Sequence, residues 1–161
     1  MDYSNFVPVI GTVININRGT ECCNQRMSVR TENGTVNFIV VPETLVIDSR
    51  QIRPGMRVAA FYDADLPVPL IFPPQYRAQI VTTLGRDEQI MLNYFDRNLT
   101  AADNSLRLNV NRSTRVETVN GQNFPCNPAN QALLVYYSAT TRSIPPQTAP
   151  RRLVVLCQSG H

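Results

Sequence analysis

Residues 37–46 read NFIVVPETLV and residues 107–116 read RLNVNRSTRV, so that Thr44 falls on Thr114. The chain repeats itself elsewhere, and the further matching segments are 58–63 (VAAFYD) with 133–138 (LLVYYS), Pro73-Pro74 with Pro145-Pro146, and 77–81 (RAQIV) with 152–156 (RLVVL). Such internal similarity indicates a duplicated structural unit. The repeated residues are typical of strand cores and turns, so the sequence predicts a scaffold and identifies no reactive group.

Both halves have the pattern of short β-strands. Alternating and β-branched residues mark the strands, Asn33-Gly34 is a strong hairpin signal, and Pro54-Gly55 suits a type II turn. No window combines helical periodicity with capping residues, so little helix is expected. The predicted strands are 9–17, 27–31, 35–41, 56–62 and 76–84 in the first half, and 89–95, 106–110, 132–138 and 152–157 in the second; residues 44–47 and 114–118 are predicted to be extended.

These strands predict an all-β chain of two tandem OB-like five-stranded small barrels that pack closely together. In each half, a hairpin joins the second and third strands and a long proline-bearing loop precedes the last, which is typical of an OB-type barrel. An up-and-down or sandwich arrangement remains open. The predicted boundaries are an N-terminal arm at 1–8, a first barrel at 9–84 and a second barrel at 85–158.

Three segments carry a resemblance to a known family: NGTVNFIV at 33–40, RPGMRVAAFYDADLPVPLIFPPQYRA at 53–78 and TTRSIPPQTAPRRLVVLC at 140–157. They resemble an uncharacterised tandem small-β-barrel (OB-like) protein family of anaerobic, mostly spore-forming Firmicutes. The resemblance covers nearly the whole chain and implies a fold and a source class, but no activity. A looser analogy is to bacterial spore appendage proteins, which have small β-modules, no signal peptide and cysteines that bridge subunits, although their strand order differs.

The charge and its composition favour a protein that tolerates contact. The net charge is +3, and all 15 cationic side chains are arginine, with no lysine. Lysine commonly keeps exposed sheet edges solvated, whereas arginine is less hydrated and is enriched at interfaces. Genomic base composition is the alternative explanation.

The ends and the apolar runs of the chain bear on its location. No apolar run approaches the roughly 20 residues that cross a bilayer, and the first residues, MDYSNFVPVI, lack the pattern of a secretory signal. Either the protein stays in the cell or it leaves by another route. In line with the spore-protein analogy, we expect an extracellular, spore-surface or cell-surface location reached without a signal peptide, with the cytoplasm as the alternative.

Catalytic chemistry is not expected, and neither a metal nor a cofactor is predicted. The only histidine, His161, is the last residue, and a triad needs an oriented imidazole. The absence of lysine excludes a Schiff base or a P-loop lysine. Asp63 and Asp65 could serve a small-molecule hydrolase, but they are more typical of a turn after a strand, and they lack the remaining ligands of a calcium loop.

The leading prediction is a non-catalytic structural protein that self-associates, as a homo-oligomer or a filament at the cell exterior or the spore surface. The loop 67–74 (PVPLIFPP) is apolar and pre-ordered by proline, although it could instead fold over its own barrel as a plug. The arm 1–8 could add to a neighbour's sheet edge. The predicted subunit-contact residues are Phe6, Leu70, Ile71 and Phe72.

The cysteines are disulfide candidates with unresolved pairing. Cys22 and Cys23 lie in a loop from which they could reach another subunit, and Cys126 and Cys157 could pair with each other. The alternative is that all four are reduced, partly buried thiols.

The alternative function is a module that binds single-stranded nucleic acid or another polyanion. OB-type barrels bind such ligands with aromatic and basic residues on their second and third strands. The residues predicted for that face are Arg30, Phe38, Tyr94 and Arg107. Strand alternation offers the competing interpretation that Phe38 and one of Tyr94 and Phe95 fill the protein interior.

Overall fold

A computed structural model describes residues 2–157 of the chain. Strands make up 46% of the residues and helix 2%, so the predicted all-β class with little helix is confirmed. In the described part of the chain, the helical content is one 3-10 turn at Ile47–Ser49. The chain divides into two compact units, Asn5–Arg86 and a second unit that contains residues 2–4 with 87–157. His161 and residue 158 of the predicted second barrel lie outside the described residues.

The first unit is one seven-stranded sheet in the order β4-β7-β5-β1-β2-β3-β6. The pairs β4–β7 and β3–β6 are parallel, and the other neighbours are antiparallel. Gly34, with φ of 117°, forms the β2–β3 turn that the Asn-Gly pair predicted. The strands are β1 (Phe6–Arg18), β2 (Gln25–Thr31), β3 (Gly34–Val40), β4 (Leu45–Val46), β5 (Arg57–Asp63), β6 (Gln75–Arg77) and β7 (Ile80–Thr83).

The second unit has a four-stranded sheet in the order β10-β13-β11-β8 and a two-stranded sheet of β12 and β9. Again two pairs are parallel, β10–β13 and β9–β12. Isolated bridges at Phe95–Ala101 and Thr100–Arg107 join β8 to β9. The strands are β8 (Gln89–Phe95), β9 (Arg107–Leu108), β10 (Arg115–Thr118), β11 (Gln131–Tyr137), β12 (Gln147–Thr148) and β13 (Arg152–Val155).

The two units repeat the same hydrogen bonds at the predicted pair Thr44 and Thr114. The hydroxyl of Thr44 donates to the carbonyl of Ala78, and that of Thr114 donates to the carbonyl of Pro150, both at 2.8 Å. Each hydroxyl also accepts a backbone N–H from three residues earlier in the chain. The duplication therefore extends to the backbone contacts of each unit.

One part of the sequence alignment is out of register. Matching 77–81 with 152–156 pairs Arg77 with Arg152, but the parallel ladders pair Leu45 with Ile80 and Arg115 with Arg152. Ile80 is therefore the structural counterpart of Arg152, three residues beyond Arg77. The sequence alignment matched the two arginines, whereas the structurally equivalent position is Ile80 in the first unit and Arg152 in the second.

The sheets formed by residues 2–157 are not closed barrels. The first sheet ends at β4 and β6, and the second unit divides its strands between two sheets. The physical reason is visible in the predicted strand 76–84, which is two strands. β6 pairs with β3, the chain passes through Ala78 and Gln79, and β7 then pairs with β5 on the opposite side.

Each unit has its own apolar core, formed by alternate residues of its strands. The core of the first unit contains Val13, Met27, Val29, Phe38, Val58, Ala60, Ala78 and Val81. The core of the second contains Phe95, Ala101, Leu106, Leu108, Leu133, Val135, Leu153 and Val155. Since successive strand residues point to opposite faces, Tyr94 and Ala132 face away from the core of the second unit.

The predicted N-terminal arm is not a separate segment. Phe6, Val7 and Pro8 belong to β1, where they pair with Asp63, Tyr62 and Phe61. Residues 2–4 group with the second unit. The predicted strand began at residue 9, whereas β1 begins at Phe6. Proline is tolerated at Pro8 because β1 pairs there with β5 alone and its other side is a sheet edge.

Candidate functional site

The proline-rich loop between β5 and β6 is the largest exposed apolar feature of the first unit. The side chains of Leu70 and Phe72 are 101% and 93% exposed, and Ile71 is 52% exposed. Leu66 and Val68 are each 45% exposed. Three of the four predicted subunit-contact residues thus lie in the solvent, and the alternative of a loop that plugs its own barrel is wrong.

The base of this loop is held by a defined set of contacts. The backbone N–H of Asp65 donates to the Asp63 carboxylate at 2.9 Å, and the side-chain amide of Asn5 donates to the Asp65 carboxylate at 2.6 Å. The two aspartates therefore organise the turn at which the loop begins. Tyr62 and Tyr76 stack at the two ends of the loop, with ring centroids 3.9 Å apart.

Phe6, the fourth predicted contact residue, lies at the same end of the unit. It is half-buried and pairs with Asp63, the last residue of β5 before the loop. Next to the stacked tyrosines, the loop and Tyr76 line a groove of about 360 Å³. Apart from the exposed tip, the loop is therefore fixed to the sheet.

The second unit carries a smaller version of this loop. Ile144 is 93% exposed and precedes the cis peptide bond to Pro145, as Phe72 precedes the cis bond to Pro73. After each proline pair the same backbone bond follows, since the N–H groups of Asn37 and Arg107 donate to the second proline of their pair at 2.9 and 2.8 Å. Each unit thus exposes one large apolar side chain at the same loop position.

A cleft of about 960 Å³ lies in the second unit, on the face of its sheet opposite to the core. Leu92, Ala132 and Leu156 give it apolar walls, and Tyr94, which is 48% exposed, supplies an aromatic face. The remaining lining residues are Asp2, Tyr3, Ser4, Asn93, Ala102, Asp103, Asn130, Gln131 and Cys157. The lining residues come from five separate parts of the chain. For this reason no local sequence motif predicted the cleft.

The charged side chains that line the cleft are the carboxylates of Asp2 and Asp103. The Ser105 hydroxyl donates to Asp103 at 2.6 Å, which lowers the pKa of that carboxyl, and the Asn93 amide, at 3.0 Å, acts in the same direction. The backbone N–H of Ser4 lowers the pKa of Asp2. Both groups are therefore anionic at neutral pH, so the cleft attracts cations and repels phosphate.

The residues predicted for a nucleic-acid face differ in their exposure to solvent. Phe38 is fully buried in the first core, so it cannot stack on a base, as strand alternation suggested. Phe95 is also buried, while Tyr94 is exposed. Arg30 and Arg107 are exposed, but neither lines the cleft that contains Tyr94.

All four cysteines are free thiols with exposed side chains, so the predicted Cys126–Cys157 bond is not seen. The alternative that the thiols are partly buried is also wrong. Cys22 and Cys23 lie in the loop between β1 and β2, which is closed by a bond from the N–H of Gly19 to the carbonyl of Asn24 at 2.9 Å. Cys157 lies at the edge of the cleft. Exposed thiols are available for contacts outside their own unit.

Neither a metal-binding cluster nor a membrane-spanning helix is found among residues 2–157. No three side chains of histidine, cysteine, aspartate or glutamate come together there, and no helix in that part of the chain is long and apolar enough to cross a membrane.

Comparison with models of known protein families finds no match, and comparison with the curated proteins finds none either. The resemblance to a tandem-barrel family therefore stays a prediction, and function has to be inferred from the geometry of the chain itself.

Proposed function

We propose that this chain is a non-catalytic structural protein that self-associates through its proline-rich loop, as the subunit of a homo-oligomer or filament. The observation that carries the proposal is the exposure of Leu70, Ile71 and Phe72 on a loop whose base is fixed. Residues 66–76 contain no charged side chain. An exposed apolar patch of this kind is typical of a contact site.

Burial of the proline-rich loop supplies only part of the free energy that a stable association requires. Full burial of Leu70 and Phe72 contributes about 1.5–3 kcal/mol for each side chain. The loss of translational and rotational freedom on association costs about 4–15 kcal/mol. One loop alone therefore gives weak association, and a stable assembly requires a further contact, such as the exposed Ile144 of the second unit.

The duplicated architecture we propose is a pair of OB-like modules. In support, β1, β2 and β3 form a meander, β3 lies parallel to β6, and β5 pairs with both β1 and β7. This order matches an OB-like module if β6 and β7 count as one bent strand. The OB-type fold is a partly open Greek-key barrel, so the proposal does not require a closed sheet.

We further propose that the assembly forms outside the cell or on the spore surface, where the exposed thiols can oxidise. Adjacent Cys22 and Cys23 would then form bonds between copies. Disulfides persist in oxidising compartments and are rare in the cytosol. If the protein acts in the cytoplasm, the same surface associates without these bonds.

Sedimentation velocity and negative-stain microscopy, with and without reductant, test this function. We expect concentration-dependent association of the native chain, weakened at least 100-fold by the double variant Leu70→Ser/Phe72→Ser, since about 3 kcal/mol corresponds to that factor. The matched control Ile14→Ser removes an exposed apolar side chain outside the loop and should associate normally.

A native chain that remains monomeric at several hundred micromolar would contradict the proposal. Passage over single-stranded DNA in the same buffers distinguishes the alternative function. Retention on the column that falls steeply with salt concentration indicates a polyanion binder. Self-association without retention on the column supports the structural role.

A further inference from the structure

We propose that the cleft of the second unit is a binding site for a guanidinium group. Its walls combine the carboxylates of Asp2 and Asp103, the exposed ring of Tyr94 and an apolar floor that includes Leu92 and Leu156. A guanidinium group matches this combination, because its N–H groups donate to carboxylate oxygens while its planar face stacks on an aromatic ring.

Hydrogen bonds within the second unit orient the Asp103 carboxylate for such a contact. Its Oδ1 atom accepts the Ser105 hydroxyl at 2.6 Å, the Ser105 N–H at 3.2 Å and the Asn93 amide at 3.0 Å. These three bonds fix the plane of the carboxylate. None of these three bonds uses the second oxygen, Oδ2, which leaves that oxygen to an incoming donor.

The size of the cleft and the rest of its lining favour an organic cation over a single metal ion. At about 960 Å³ the cleft is far larger than one ion needs, and the described residues bring no third metal-ligating side chain beside the carboxylates. No described arginine is among the lining residues. The amides of Asn93, Asn130 and Gln131 add polar partners for the chain that carries the guanidinium group.

Two sources could supply this group. One is a small guanidino compound, and the other is an arginine of a second copy, because all 15 cationic side chains of this chain are arginine. The chemistry of the site is the same for both sources. It also does not depend on whether the proline-rich loop drives association.

Calorimetry with agmatine, on the reduced full chain, tests the site. We expect one agmatine per chain, and at least tenfold weaker binding of N-carbamoylputrescine, in which a neutral urea replaces the guanidinium group. Asp103→Asn keeps the Oδ1 acceptor and replaces only Oδ2, so we expect at least a tenfold loss of affinity. Glu32→Gln, at an exposed carboxylate in the β2–β3 turn of the first unit, is the matched control and should bind normally.

If Asp103→Asn fails to fold, two other variants test agmatine binding at the cleft. Asp2→Asn changes an exposed carboxylate, and Tyr94→Leu removes the stacking ring. Each should weaken agmatine binding several-fold. Lack of saturable binding, equal affinity for the urea analogue, or normal affinity of the folded cleft variants would overturn the site.

Sedimentation in saturating agmatine separates the two sources. If an arginine of a second copy is the natural occupant, agmatine and Asp103→Asn both dissociate the assembly. If a free compound is the occupant, agmatine binds while sedimentation stays unchanged. Failure of self-association would leave agmatine binding intact, so the two proposals fail independently.

Discussion

The ion pair between Arg152 and Glu117 occupies a place that the first unit fills with isoleucine. Nε of Arg152 lies 2.6 Å from Oε1 of Glu117, and the two side chains are only 7% and 13% exposed. Their counterparts in the first unit, Ile80 and Ile47, are 1% and 3% exposed. The first unit therefore has buried apolar side chains at the two positions where the second unit has an ion pair, and we expect isoleucines to replace that pair.

The single substitution Arg152→Ile should destabilise the second unit, because it leaves the carboxylate of Glu117 buried. Breaking a buried pair costs about 3–5 kcal/mol. The lower end applies, since Arg115 remains 3.9 Å from that carboxylate and is 57% exposed. About 3 kcal/mol corresponds to a loss of roughly 6–12 °C in Tm for a chain of this size.

The double variant Arg152→Ile/Glu117→Ile should recover most of this loss. Replacing a buried ion pair by apolar residues is often neutral or stabilising. One contribution is not recovered, because Arg152 also lies over the ring of Tyr136, 5.3 Å from its centroid, and such a contact contributes about 1 kcal/mol. We expect the double variant to lie within about 1–2 kcal/mol of the native free energy of unfolding.

Urea unfolding followed by circular dichroism measures the four corners of this double-mutant cycle. The matched control is the exposed pair Arg77 and Glu43, 3.5 Å apart with side chains 53% and 70% exposed. The buried pair should show a coupling of at least about 2 kcal/mol, and the exposed pair no more than about 0.5 kcal/mol. A double variant as unstable as the sum of its singles would refute the equivalence of the two sites.

Three further predictions concern single side chains. Burial and the neighbouring tyrosine raise the pKa of Tyr62 above its usual range. The folded state therefore retains this proton to higher pH than the unfolded state, and the free energy of unfolding falls as pH rises above about 10. Tyr62→Phe should reduce that fall in urea titrations, and lysine does not contribute to it because the chain has none. Thr44→Val and Thr114→Val each remove a 2.8 Å bond to a backbone carbonyl and should cost similar amounts, about 1–3 kcal/mol in thermal unfolding; a large difference would contradict the equivalence of the two units. Gly11→Ala would place Cβ 2.3 Å from a carbonyl oxygen of β2, whereas the Cβ of Gly34→Ala meets no atom within 4 Å. Gly11→Ala should therefore lower Tm more than Gly34→Ala does, even though Gly34 has φ of 117°. Equal losses of Tm would contradict the β1–β2 geometry.

The sequence predicted the strands well where local chemistry decides them. β8 lies at the predicted positions, and Gly34 and Gly55 have the positive φ values that their turns required. The buried state of Phe38 and Phe95 followed from strand alternation. These features depend on neighbours in the chain, so a single sequence contains the information.

Features that depend on distant residues were missed. The last strand of the first unit bends between Arg77 and Ile80 because it has different partners on its two sides. Nothing local signals that change, and the shared arginine concealed the correspondence of Ile80 with Arg152. The cleft was missed for the same reason, although the prediction of an exposed functional Tyr94 identified one of its walls.

Divergence after duplication explains how one backbone can expose two unlike surfaces. The first unit presents an uncharged apolar loop with Leu70 and Phe72, while its counterpart in the second unit exposes Ile144 beside Arg142. The second unit instead has a cleft that contains the carboxylate of Asp103. Contact between such unlike surfaces of two copies is heterologous, and a heterologous contact either closes into a ring or continues as an open filament. The self-association proposed for this chain should therefore yield rings or filaments and not a two-fold dimer, and microscopy of the assembled protein distinguishes these outcomes directly.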